Sequence, residues 1–67
     1  MTDDNVLEAL FELDSAPSRT IANEIGAPVP DVIERLDRLE KSGLVEYTGQ
    51  EFELTELGLT RVDAITA

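Results

Sequence analysis

A chain of 67 residues with neither cysteine nor histidine has to hold itself together by packing alone. Disulfides are excluded, and so is a zinc centre built on thiolates or imidazoles. A chain near 60 residues buries only about 60% of the surface its unfolded form exposes, so the margin of stability is thin. The length suffices for one domain, spanning residues 1–67. Such a domain has to rely on closely fitted elements, on a second copy, or on the solvent.

The apolar spacing predicts helix, helix, helix, hairpin, helix. Val6, Leu10 and Leu13 recur at helical intervals between Asp3 and Leu13, with Leu7 and Phe11 as a second stripe beside them. Thr2 suits the N-cap, and Asp3 and Asp4 suit the positive end of the helix dipole. Asp14-Ser15-Ala16 breaks the pattern. A second helix then runs from Pro17, whose missing N–H costs nothing in a first turn, to Ile25. Ile21, Ala22 and Ile25 are its inward residues. Gly26 can adopt the left-handed conformation that ends a helix, and Ala27-Pro28 completes the turn. The third helix spans Val29–Ser42, with Val32, Leu36 and Leu39 inward, and Gly43 stops it. Leu44–Tyr47 and Phe52–Leu54 alternate like strands about the turn Thr48–Glu51, which predicts a hairpin. Thr55 caps a last helix over Glu56–Ile65, on which Leu57, Ala64 and Ile65 face one way and Leu59 and Val62 another.

Charge narrows the setting. Fifteen acidic residues stand against 5 basic ones, a net charge of −10. That excess repels phosphate and repels itself. It fits a basic partner, or a solvent of molar salt in which screening shrinks to a few ångströms. Scarce lysine with abundant Asp and Glu resembles the proteins of salt-loving archaea. No apolar run approaches the roughly 20 residues that span a bilayer, and the start, Met1-Thr2-Asp3-Asp4-Asn5, lacks a signal peptide's basic residues. The expectation is a cytoplasmic protein with no membrane partner.

Arg19-Thr20-Ile21-Ala22-Asn23-Glu24-Ile25-Gly26, then Val32 through Leu36, then Leu39-Glu40-Lys41-Ser42-Gly43-Leu44-Val45, resemble the core of winged helix-turn-helix regulators. Phe52-Glu53-Leu54-Thr55-Glu56-Leu57-Gly58 is similar to the passage from their second wing strand into the last helix. The likeness covers nearly the whole chain and is greatest to the small repressors of the MarR and ArsR type. It implies a mainly α fold with a small β-hairpin: a three-helix core, a wing and a C-terminal helix. In this arrangement Ala22 lets two helices cross closely, and Gly58 lets the last helix lie against another backbone.

The resemblance also implies a function: a transcriptional regulator whose third helix, 29–42, lies in the major groove of double-stranded DNA. Carried onto this chain, the reading positions are Val29, Pro30, Asp31, Ile33, Glu34, Asp37 and Arg38, with Arg19, Lys41 and Arg38 itself placed to touch phosphate. Family members usually carry small polar and basic residues there, whereas this helix presents carboxylates and apolar groups. Pro28 replaces the usual Ser or Thr cap, and the wing has no cation. Carboxylates oppose phosphate, although single ones can read the amino group of cytosine. Arg35 lies nearer the core edge and is expected to pair with an acid. A winged-helix module that binds a protein partner instead of DNA is the competing expectation.

The second stripes, Leu7 and Phe11 with Leu59 and Val62, either pack on each other within one chain or under the hairpin, or exceed what one small core needs and form a dimer interface, as such terminal helices do in many of these regulators. A homodimer would double the cations and match a palindromic site. An enzyme is not expected. Acid–base chemistry would fall to paired carboxylates, and pairs such as Asp3-Asp4 sit on solvated helix starts. No cofactor or metal is expected, because the acids are dispersed and lack the spacing of a calcium loop.

Overall fold

The computed structural model describes residues 1–66, the last by its backbone alone. Its elements are α1 (Asp3–Leu13), β1 (Ser15–Ala16), α2 (Ser18–Ile25), α3 (Val29–Lys41), β2 (Val45–Tyr47), β3 (Phe52–Leu54) and α4 (Glu56–Thr66). The fold is a winged helix, mainly α with a small antiparallel sheet.

Local chemistry fixes each helix end. The Thr2 hydroxyl accepts from the Asn5 N–H at 3.2 Å, and the Asn5 side chain accepts from the Thr2 N–H at 3.0 Å, so two otherwise orphaned donors are satisfied reciprocally. Pro17 is the N-cap of α2, one residue outside the expected start. Gly26 ends that helix at φ 80°, its N–H donating to the Ala22 carbonyl at 2.8 Å. Gly43, also at φ 80°, closes α3. Its N–H donates to Glu40 and that of Leu44 to Leu39, both at 3.0 Å, the paired bonds of a left-handed helix stop.

The core is Val6, Leu7, Ala9, Leu10, Ala16, Ile21, Ala22, Val32, Leu36, Leu39, Val45 and Val62. At its centre lies α1, which touches α2, α3, α4 and β3. A helix contacted from so many sides has to be apolar over a wide arc, and this explains its two stripes.

One strand was not expected. Ser15 and Ala16 pair with Glu53 and Phe52, so β3 is the middle strand of a three-stranded sheet ordered β1-β3-β2. The chain enters β1 through Asp14 at φ 67° and ψ −64°, a tight turn off the end of α1. A pair of residues carries no alternation, so this segment read only as a break.

Gly58 has the close approach its position implied. A Cβ there would overlap the Leu44 carbonyl oxygen and stand 3.1 Å from both the Leu44 carbonyl carbon and Leu54 Cδ2. The first turn of α4 therefore rests directly on the backbone that follows α3. The Thr55 hydroxyl completes the joint, donating to the Gly43 carbonyl at 2.6 Å and accepting from the Gly58 N–H at 3.1 Å. The Thr55 N–H donates to the Leu44 carbonyl at 3.1 Å.

Candidate nucleic-acid interface

Helix α3 turns Val32, Leu36 and Leu39 into the core and leaves Pro30, Asp31, Ile33, Glu34, Asp37, Arg38 and Lys41 exposed. All of these are residues the resemblance assigned to DNA. Val29 differs: it is half-buried and packs against the core, because the first turn of α3 leans on the helix pair. Pro28 caps α3 without a side-chain hydrogen bond, Pro30 has no N–H, and the Asp31 and Val32 N–H groups already donate to the Pro28 carbonyl at 3.1 and 3.2 Å, so the helix start offers no hydroxyl and little free backbone N–H.

The cations divide into paired and free. Arg35 Nη1 meets Asp3 Oδ1 at 2.8 Å, as its position at the core edge implied, and ties α3 to the start of α1. Arg61 Nη2 lies 3.5 Å from Asp4 Oδ1, which ties α4 to the same turn. Sequence spacing gave no sign of that long-range pair. Lys41 Nζ meets Asp37 Oδ2 at 3.0 Å, one helical turn apart. Both partners are largely exposed, so this pair holds together by only about 0–1 kcal/mol and opens readily toward a phosphate. Among the described residues, Arg19 and Arg38 form no ion pair, and both are exposed.

The wing is acidic and tightly closed. The Thr48 N–H and hydroxyl donate to the Glu51 carbonyl at 2.8 and 3.0 Å. Tyr47 donates its hydroxyl to the Gly49 carbonyl at 2.8 Å, and its ring packs on Phe52 with centroids 4.8 Å apart. Glu46 and Glu53 sit directly opposite each other across β2 and β3. The Glu53 carboxyl is raised above its ordinary value: it shares a hydrogen bond with Glu46, loses some solvent, and is repelled by Glu46 and Glu51.

The proposed dimer stripe is half core. Leu7 is 0% exposed and Val62 1%, since α1 and α4 pack on each other within one chain. Phe11 (50% exposed) and Leu59 (45%) remain outside, lining one shallow cleft with Leu10, Leu54, Asp14 and Glu53. Leu57, on the other face of α4, also stands in solvent. It opens a groove of ≈ 520 Å³ between the ends of α3 and α4, flanked by Arg38 and Arg61. Among the described residues no cluster of three carboxylates could hold a metal ion, and no helix is long and apolar enough to cross a membrane.

A three-helix core with an exposed third helix and a hairpin wing is the winged-helix fold. Among solved structures, the chain is similar to a point mutant of MepR, a winged-helix regulator of the MarR type, from a multidrug-resistant S. aureus clinical isolate. The TM-score is 0.82 at 27% sequence identity over 98% of this chain. The match spans 55% of the MepR chain, so this chain covers about half of that protein's length. No family model matches the chain, and no curated protein matches it.

Proposed function

We propose that this chain is a sequence-specific DNA-binding regulator that lays the outer face of α3 in the major groove, with Arg19 and Arg38 on the flanking phosphates. The observation that carries the reading is the winged helix itself, similar to MepR over 98% of its length, with its third helix uncovered and these two guanidiniums unpaired. Lys41 joins them when its surface pair with Asp37 opens. Asp31, Glu34 and Asp37 weaken nonspecific attraction to phosphate. That leaves an interface in which base contacts decide more of the binding than charge does. A homodimer joined at Phe11 and Leu59 would present two such helices to a palindromic site.

Fluorescence anisotropy with mixed genomic duplexes, titrated from low to molar KCl, tests the reading. Binding that Arg38→Ala or Arg19→Ala weakens supports it. The acidic wing, with Glu46 and Glu53 paired across its strands and Glu51 at its turn, favours a second reading, a module that docks on a basic protein surface. No DNA binding at any salt concentration, with circular dichroism showing a folded chain, would leave only that second reading.

A further inference from the structure

On the outer side of α3, Ile33 is 50% exposed, while its neighbour Val32 and Leu36 on the next turn are fully buried. Packing therefore makes little use of Ile33. A β-branched residue also lowers helix propensity, and an exposed apolar one adds nothing to solubility. Its side chain has no donor and no acceptor, so it can neither hold a phosphate nor read a polar base edge. The major groove displays one apolar group, the 5-methyl of thymine. Glu34 follows on the same exposed side and forms no ion pair among the described residues. An ionised carboxylate only accepts, which rejects phosphate and suits the exocyclic amine of a base.

We infer that Ile33 is a specificity-determining residue that packs on a thymine methyl group, so that the duplexes this chain selects carry thymine at the step Ile33 covers. The inference rests on the DNA-binding reading and names the base chemistry of that surface. Arg19 and Arg38 hold the backbone, and Ile33 discriminates by the methyl group that separates thymine from uracil.

The test uses the full chain and a duplex selected from a random-sequence pool in KCl. Each thymine of the selected duplex is replaced in turn by deoxyuridine. One replacement per bound chain should weaken binding about fourfold, the effect of one buried methyl group. The Ile33→Ala chain should bind the parent duplex weakly and show no further loss on that replacement. Ile33→Val, which keeps the branched end, should restore part of the discrimination. If no deoxyuridine replacement changes binding, or if one weakens the native and Ile33→Ala chains equally, the inference is overturned. The DNA-binding reading would survive that result provided Arg38→Ala still weakens binding. Absence of binding to any duplex would remove both.

Discussion

Replacing Gly58 by alanine sets two effects of known size against each other. In a helix interior, alanine is favoured over glycine by about 1 kcal/mol, so on propensity alone Gly58→Ala should stabilise α4. The new Cβ would instead overlap the Leu44 carbonyl oxygen and crowd Leu54 Cδ2, at 3.1 Å. The Leu54 methyl can shift aside, but the Leu44 carbonyl is backbone and cannot move without displacing the chain. Overpacking of this kind costs about 1–3 kcal/mol. Lifting α4 away also weakens the hydrogen bond from the Thr55 N–H to the Leu44 carbonyl, now 3.1 Å long, at about 1 kcal/mol. The balance is a net loss of about 1–3 kcal/mol, and in a domain of this size each kcal/mol moves Tm by roughly 4–8 °C. Thermal denaturation followed by circular dichroism in molar KCl should therefore show Tm falling by about 5–20 °C. Gly26 supplies the control, because a Cβ there meets nothing within 4 Å and only its φ of 80° resists substitution. Gly26→Asn should be tolerated better than Gly26→Ala, since asparagine visits the left-handed region, whereas Gly58→Asn should be worse than Gly58→Ala. A Gly58→Ala chain as stable as the native one would refute the contact between α4 and Leu44.

Leu7→Ala should cost about 2–5 kcal/mol in urea denaturation and Phe11→Ala much less, because Leu7 is sealed in the core and Phe11 is half in solvent. If the chain pairs through Phe11 and Leu59, Phe11→Glu should yield a monomer by light scattering without lowering Tm; an unchanged mass would exclude that pairing. Glu53 titrates above its ordinary value in the fold, so between the two values the folded chain binds more protons than the unfolded one. Stability should thus rise as pH falls through that window and level off below the ordinary value. Glu46→Gln should flatten this rise in a Tm-against-pH series, and a series it leaves unchanged would show that Glu46 does not burden Glu53. With a net charge of −10, the chain should also gain Tm steadily with KCl; complete folding in dilute buffer with no such gain would count against salt adaptation.

Periodicity made much of the core legible: Ile21, Val32, Leu36 and Leu39 are buried where their spacing placed them. Punctuation by Gly26, Gly43 and Thr55 gave the element order. Leu7 and Val62 were misplaced because a spacing argument identifies a helix face without saying how many faces are covered. Helix α1 is surrounded, so both its stripes lie inside except for half-buried Leu13 and exposed Phe11 at its end. Strand β1 was invisible because its pairing with Glu53 and Phe52 depends on contacts far along the chain. The exposed face of α3 was legible as the complement of its core face. Its electrostatics were only partly so: Arg35 showed its partnership by lying at the core edge, whereas the pairing of Arg61 with Asp4 depends on how α4 returns across α1.

The hydroxyl of Thr55 joins the stop of α3, through the Gly43 carbonyl, to the first turn of α4, through the Gly58 N–H. With α4 seated on the Leu44 backbone, the stop of α3 and the first turn of α4 are held against each other at one joint. Any displacement of the first turn of α4 must therefore strain the stop of α3 first.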